Sequence, residues 1–257
     1  HSFTVVSMEN VDPLGVHTGE SIVVAPTCSL RDDEVKRLKE ISVKTVRHLN
    51  IVGECNIQYA YSSDTGDYRI IEVNARLSRS SALASKASGS PLAFVAAKLA
   101  LGYSLDEIGE MGTVNSAYKA PEVDYLIAKI PRWDLTKFAG VSRQIGSSMK
   151  SVGEIMSIGK SFEEIMQKGL RMIGQGMHGF VGNNNLTFEN LDDELENPTD
   201  LRIFAVAQAL EEGYTIERIH ELTKINPWFL NKLKNIVDYS RVLKQYDRIE
   251  DLPAEVL

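Results

Sequence analysis

The sequence predicts an α+β fold in which a lobe of strands and helices precedes a small all-helical part. Strand-like and helix-like segments are interspersed up to about residue 175, whereas the pattern from residue 189 onward is helical only. Glycines and a run of asparagines mark residues 176–188 as a linker. The predicted domains are therefore residues 1–175 and 189–257. At 257 residues, 43% of them hydrophobic, the chain is long enough for both parts to have a core.

Composition excludes several classes of protein. The net charge of −7 argues against nucleic acid as a general partner, and no apolar run is long enough to span a bilayer. No signal peptide is visible, and the first residue is His1 rather than Met, so we expect an excised segment or a processed product. Cys28 and Cys55 lack metal-site spacing, which favours a reducing compartment, with the cytoplasm expected and the mitochondrion as the alternative.

The first elements are two predicted strands and a helix. The strands cover residues 3–8 and 21–25, and the loop between them carries His17 between glycines. Ser29 and Asp32 resemble a capping box, so an amphipathic helix is expected to run from there to about His48.

A predicted β-hairpin then gathers four polar side chains on one face. Turn formers fill residues 62–67 between two strand-like runs. With the turn centred there, Gln58 lies opposite Glu72. In the same register, Asn56 lies opposite Asn74, and we call these four residues the polar face. Alternation puts four apolar residues on the other face, toward the core: Ile57, Tyr59, Ile71 and Val73.

The polar face predicts a metal–phosphate site. One carboxylate and three amides are hard oxygen donors, the kind that Mg²⁺ or Mn²⁺ prefers when it also bridges nucleotide phosphates. Arg76 and Arg79, here called the arginine pair, follow the second strand and could clamp those phosphates. An ordinary hairpin with its polar face in water fits the same pattern. Asn, Gln and Glu are unfavourable strand residues, however, which favours the functional interpretation.

The remaining elements follow from caps and breakers. Small residues fill positions 80–89, where Ser80 and Ser81 are candidate helix caps. Later expected elements are a helix from 92 to 101, a short helix capped by Ser104 and Glu107, strands at 123–130 and 153–158, and a helix from Ser161 to about Met172.

The helical tail permits a competing interpretation as a helix-turn-helix. Its helices are predicted over 198–210, from Thr215 and from Asn226. Glutamates surround the few lysines, and Trp228 and Phe229 are better suited to packing than to contacting bases. We therefore expect no nucleic-acid partner, and expect the helices to support self-association.

Several motifs resemble one family. Glu72-Val-Asn-Ala-Arg76 resembles the E-x-N-x-R signature of ATP-grasp enzymes. The run Asn-Ala-Arg-Leu-Ser-Arg-Ser-Ser-Ala-Leu-Ala-Ser-Lys at 74–86 is more specific, as are Met-Glu-Asn-Val-Asp-Pro-Leu-Gly-Val-His-Thr-Gly-Glu-Ser at 8–21 and Met-Lys-Ser-Val-Gly-Glu at 149–154. Together they closely resemble the first half of the large subunit of carbamoyl phosphate synthetase. The Ala75 form of the signature is similar to animal and fungal members.

The resemblance implies an ATP-grasp C-terminal lobe followed by a helical oligomerisation domain. In this family the first ATP-grasp unit uses ATP to phosphorylate bicarbonate to carboxyphosphate. Ammonia, from glutamine in most members, then gives carbamate, which a second unit converts to carbamoyl phosphate for arginine, urea or pyrimidine synthesis. By resemblance, the residues expected to hold Mg²⁺ or Mn²⁺ with the ATP phosphates are Gln58, Glu72 and Asn74. Arg76 and Arg79 would stabilise the transferred phosphoryl group.

The resemblance also implies that His17 and Asn56 line the same pocket, although a loop histidine with a structural hydrogen bond is the alternative for His17. Residues 119–125 depart from the family, with Lys-Ala-Pro-Glu-Val-Asp-Tyr where Phe-Glu-Pro-Ser-x-Asp-Tyr is usual. The other ATP-grasp lobe, the glutaminase and the second synthetase half would be separate segments or partners. The fragment alone is therefore expected not to turn over ATP.

Two other functions fit the same chain less well. One is another ATP-grasp carboxylase, such as a biotin carboxylase, which the sequence after Arg79 disfavours. The other is a non-catalytic assembly module, which the intact polar face and arginine pair disfavour.

Overall fold

The computed structural model describes residues 1–2, 4–111, 123–174, 176–183 and 186–254. The strands are β1 (Glu9–Asn10), β2 (Val23–Ala25), β3 (Asn56–Tyr61), β4 (Tyr68–Asn74), β5 (Leu126–Arg132) and β6 (Gly153–Gly159). The helices are α1 (Asp32–His48), α2 (Arg79–Ser88), α3 (Leu92–Ala100), α4 (Leu105–Glu110), α5 (Phe162–Met172), α6 (Leu191–Glu196), α7 (Arg202–Glu211), α8 (Ile216–Thr223) and α9 (Pro227–Leu243). The α+β class is confirmed, and four of the residues that depart from the family, 119–122, lie outside the described ranges.

The chain forms two compact units. The first consists of His1–Glu9 and Ala25–Asp124, and the second of Asn10–Val24 and Tyr125–Leu257. The domain boundaries expected at residues 176–188 remain a prediction. No helix in the described ranges is long and apolar enough to cross a membrane.

In the first unit, the antiparallel hairpin of β3 and β4 packs beside α1. The Tyr59 hydroxyl lies 2.8 Å from the Ser42 hydroxyl of α1, and the Tyr61 hydroxyl donates to Glu34 Oε1 at 3.1 Å. Helix α1 begins two residues later than the Ser29 capping box predicts, because its N-cap is Arg31. Glu34 Oε2 accepts from the backbone N–H of Arg31 at 2.7 Å. Ser29 instead donates its hydroxyl to Glu9, so it is not free to cap the helix.

The strand predicted at residues 3–8 is wrong for its described part. Residues 4–8 have no regular secondary structure, and pairing starts only at Glu9. Strand propensity produces a strand only where a neighbouring strand supplies hydrogen bonds. Here β1 is a two-residue edge strand, anchored where Glu9 Oε2 accepts from the N–H groups of Cys28 and Ser29 at 2.9 and 3.0 Å.

A four-stranded sheet has the order β1-β2-β5-β6, and most of its residues belong to the second unit. Strand β5 starts at Leu126, three residues later than predicted, and pairs antiparallel with β6. Its residues 127–131 are buried, because it lies between β2 and β6 and helix α5 covers it. Gly169 permits this contact, since a Cβ there would overlap the Cδ1 atom of Ile130.

Helix α5 also packs against the helical part of the same unit. The ring of Phe162 lies 5.7 Å from that of Trp228 and 5.3 Å from that of Phe229, between ring centroids. Phe229 and Leu230 are fully buried. The first turn of α9 is therefore used for packing, as its aromatic residues predict, and those two side chains are inaccessible to a base edge.

Candidate functional site

The register of the hairpin brings the polar face together as predicted. Gln58 pairs with Glu72 and Asn56 with Asn74, so all four side chains lie on the same face of the two strands. A β-bulge follows, because Tyr59 pairs with Ile70 and one residue of β4 is extra. The bulge lies on the turn side of Glu72 and leaves the alternation within the polar face intact.

The opposite face is only partly the predicted core surface. Ile71 is 53% exposed, so its assignment to the core is wrong. The bulge accounts for this, because it inserts an extra residue at this point of the strand and breaks the two-residue alternation. Ile57, Tyr59 and Val73 remain half-buried, as expected of the side that faces α1.

The oxygen atoms of the polar face are available for a ligand. Within the part of the chain that the structure describes, its four side chains make no hydrogen bond, and Glu72 is exposed. The single carboxylate gives the polar face too little negative charge to hold a divalent metal without other ligands. The described residues also include no group of three or more His, Cys, Asp or Glu residues that could hold a metal. The donor set instead fits Mg²⁺ or Mn²⁺ that completes its coordination with nucleotide phosphates and water.

The arginine pair lies at the start of α2, immediately after β4. Arg79 is the first residue of this ten-residue helix, whose first turn contains no acid. The helix dipole makes the N-terminus of α2 partly positive, and the guanidinium of Arg79 adds to this charge. This end of α2 therefore favours the binding of an anion. Arg76 is exposed, and its Nη1 donates to the Leu77 carbonyl at 3.3 Å.

The cap of α2 is Ser78, not Ser80 or Ser81 as predicted. The Ser78 hydroxyl accepts from the N–H of Ser81 at 3.3 Å, and the Ser81 hydroxyl accepts from the N–H of Ser78 at 2.9 Å. Ser81 thus occupies the third helical position of a capping box, where glutamate or glutamine is usual. The serine run allowed three choices of cap, which is why sequence alone did not locate it.

Glu54 is a residue near the site that the sequence did not identify. Its Oε1 accepts from the Ser81 hydroxyl at 2.6 Å, while its Oε2 is buried with no hydrogen-bond partner among the described residues. Burial raises the pKa of this carboxyl, and the Ser81 hydrogen bond and the charge of Arg76 only partly offset that effect. The only indication of this residue in the sequence is that an acid stands two positions before Asn56.

His17 belongs to the second unit, where a tight loop fixes its ring. Its Nδ1 accepts from the N–H of Gly19 at 2.9 Å, and its own N–H donates to the Gly146 carbonyl at 2.8 Å. Since Nδ1 is an acceptor, the proton of the neutral ring lies on Nε2. The exposed imidazole therefore offers an N–H donor to an anion, while its place in a pocket with Asn56 remains a prediction.

The loop that carries His17 is anchored by the distant motif at residues 149–154. Glu20 is 1% exposed and accepts from the Trp133 indole N–H at 2.6 Å and from the Ser151 N–H at 2.8 Å. The Ser151 hydroxyl in turn donates to the Gly19 carbonyl at 3.2 Å. Burial by itself would raise the pKa of Glu20, but these hydrogen bonds outweigh burial and hold the pKa below its ordinary value.

Glu20→Gln is expected to lower the free energy of unfolding of the second unit by about 1–3 kcal/mol at pH 7, because one buried donor loses its acceptor. A lowered folded-state pKa means that the carboxylate contributes stability above its unfolded-state pKa. That contribution is lost as the pH falls through the folded-state pKa, below 4.5. Urea unfolding followed by tryptophan fluorescence should show the difference between wild type and variant shrinking below pH 4.5. A difference that stays constant from neutral to acidic pH would contradict the role of the charge.

Comparisons with known proteins give consistent relatives for both parts of the chain. Residues 2–108 match the family described as carbamoyl-phosphate synthase L chain, ATP binding domain. Residues 154–257 match the family described as carbamoyl-phosphate synthetase large chain, oligomerisation domain. The first match includes the polar face and the arginine pair, and the second includes helices α5 to α9.

Individual relatives are similar over nearly the whole chain. The arginine-specific large chain of carbamoyl phosphate synthase, mitochondrial, of Neurospora crassa is 56% identical over 98% of this chain and 22% of its own length. Multifunctional protein pyr1-3 of Dictyostelium discoideum is 55% identical, and Multifunctional protein CAD of Squalus acanthias 56%, each over 99% of this chain and 11% of its own length. The chain thus spans at most about a quarter of these relatives.

Proposed function

The chain belongs to the family of carbamoyl phosphate synthase large chains, and we propose that its hairpin is part of a site that phosphorylates bicarbonate with ATP. The observation that carries this proposal is the register of β3 and β4, which places one carboxylate and three amides on one face with two arginines directly after it. The product would be carboxyphosphate, which reacts onward through carbamate to carbamoyl phosphate in the complete protein.

The proposed roles follow from the chemistry of each group. Gln58, Glu72 and Asn74 would hold Mg²⁺ or Mn²⁺, which neutralises charge on the ATP phosphates. The arginine pair would stabilise the phosphoryl group in transfer, where negative charge spreads over its oxygens, with guanidinium groups that stay charged at any physiological pH.

Asn56 and His17 would contact the same phosphoryl or bicarbonate oxygens. Asn56 is the one residue of the polar face that is not proposed as a metal ligand. The Nε2–H of His17 is a hydrogen-bond donor whose position is fixed by the loop that carries it. These two residues would position the acceptor and need not move a proton.

The variants His17→Asn and His17→Gln separate a ligand contact from a loop contact. Asn carries an acceptor near the position of Nδ1 and can keep the Gly19 hydrogen bond, whereas Gln carries an amide nitrogen near the position of Nε2. We expect His17→Asn to lower kcat/KM for bicarbonate by about 10- to 100-fold, the value of one hydrogen bond to a charged group. His17→Gln should retain more activity. The reverse order in steady-state kinetics would assign His17 to loop structure only.

ATP hydrolysis by the complete large chain tests the proposed function. Without ammonia or glutamine, hydrolysis should require both bicarbonate and Mg²⁺ or Mn²⁺. Hydrolysis that does not depend on bicarbonate would contradict the proposal and favour an assembly role. For an assembly role, adding metal should also not increase the protection that nucleotide gives the hairpin against proteolysis.

The helical part supports a proposal about assembly. Tyr239 is 61% and Leu243 45% exposed on α9, which leaves apolar area for a partner. We propose self-association through α6 to α9, with a glutaminase and a second synthetase half as the other partners of the complete protein. We propose a reducing compartment, the cytoplasm or alternatively the mitochondrion, because Cys28 and Cys55 form no disulfide within the described ranges.

A further inference from the structure

Glu54 connects the start of β3 to the start of α2. It precedes Asn56 by two residues, and its Oε1 accepts from the hydroxyl of Ser81 at 2.6 Å. The same hydroxyl accepts from the N–H of Ser78 and completes the cap of α2. Glu54 therefore links the strand that carries Asn56 and Gln58 to the helix that begins at Arg79.

The other oxygen of Glu54 has no hydrogen bond. Oε2 is buried and without a partner in the described ranges, which is costly for a carboxylate. Arg76 is the cation whose charge acts on this carboxyl, although its guanidinium is exposed and makes only a 3.3 Å hydrogen bond to a backbone carbonyl. Among the described residues, Arg76 therefore remains available to contact another anion.

We propose that Glu54 is a positioning residue for Arg79: through the Ser81 hydroxyl it fixes the start of α2, the helix that begins at Arg79. The inference rests on the function proposed above and adds a residue to it. Glu54 itself would touch neither phosphate nor metal.

The test is a double-mutant cycle in the complete large chain with Glu54→Ala and Ser81→Ala. Glu54→Ala removes the acceptor of the Ser81 hydroxyl and is expected to lower kcat for bicarbonate-dependent ATP hydrolysis about tenfold, the scale of an outer residue that orients a ligand-binding group. Glu54→Gln keeps an acceptor for Ser81 and should retain most of the wild-type kcat. The KM for ATP should change little in either variant. Because both groups act through one hydrogen bond, the double variant should be no slower than Ser81→Ala alone.

Glu107→Ala is the matched control. Glu107 also accepts from a serine hydroxyl at a helix N-terminus, that of Ser104 at 2.9 Å, but its helix, α4, carries no residue of the proposed site. Its kcat should equal that of wild type.

Each remaining outcome decides the matter. Wild-type kcat for Glu54→Ala, multiplying effects in the double variant, or a Glu54→Gln chain as slow as Glu54→Ala would overturn the positioning role. If Glu72→Ala is inactive in the same assay, the proposed function still stands after any of these results. If Glu72→Ala is fully active, the proposed function is wrong and the inference is lost with it.

Discussion

Glu72→Ala is expected to reduce bicarbonate-dependent ATP hydrolysis by the complete large chain at least about 100-fold. Glu72 supplies the only carboxylate of the polar face, and a metal held by amides alone would bind weakly and neutralise less phosphate charge. Metal-ion stabilisation of this kind is worth several kcal/mol, and each 1.4 kcal/mol is about tenfold in rate. The measurement is initial velocity against Mg²⁺ concentration, in which a higher concentration should restore part of the lost rate.

Asp64→Ala is the control for this variant. Asp64 is an exposed acid in the turn of the same hairpin, away from the paired positions of the polar face. Its velocity should stay within about twofold of wild type, as is usual for a surface change that removes no contact. Full activity in Glu72→Ala would show that the metal is held elsewhere.

Asp12→Ala is expected to lower the free energy of unfolding of the second unit by about 3–5 kcal/mol, the cost of leaving a buried charge without its partner. Asp12 forms an ion pair with Arg202, whose side chain is 5% exposed. Its other oxygen accepts from the N–H of Ile22 at 3.0 Å, so the substitution also removes that acceptor. Both tryptophans of the chain, Trp133 and Trp228, lie in the second unit, so urea unfolding followed by tryptophan fluorescence reports this change.

Asp238→Ala is the matched control, in the same unit. Asp238 pairs with Lys234 and Arg241 on the surface of α9, and all three side chains are more than 40% exposed. Removing an exposed pair costs at most about 1 kcal/mol, so the two pairs together should cost less than the buried one. Equal losses for Asp12→Ala and Asp238→Ala would mean that the buried pair contributes no more than the exposed one.

The polar face could be predicted because it depends on local rules. Six turn formers fix where the hairpin reverses, and two-residue alternation then determines which side chains share a face. Gln58 opposite Glu72 follows from these two facts alone. The bulge next to Glu72 does not, because neither the turn formers nor the alternation marks an extra residue in one strand. Ile71 lies at this bulge and is exposed.

Other features depend on contacts that are distant in sequence. Residues 4–8 have strand propensity but no strand partner, and Ser29 is engaged by Glu9 instead of capping α1. The support of the His17 loop by Ser151 joins segments that are about 130 residues apart. No periodicity or spacing encodes such pairings, so the motif at residues 149–154 could be noticed in the sequence but its structural role could not.

The most direct test of the proposed chemistry follows an oxygen atom from bicarbonate to phosphate. If the site joins a bicarbonate oxygen to the γ-phosphorus of ATP, the phosphate released when carboxyphosphate decomposes retains that oxygen. The complete large chain, given ATP, Mg²⁺ and ¹⁸O-labelled bicarbonate without ammonia or glutamine, should release phosphate that carries one ¹⁸O atom, detected by mass spectrometry. Unlabelled phosphate at early times, while the bicarbonate is still labelled, would show that water attacks ATP directly and would contradict bicarbonate phosphorylation.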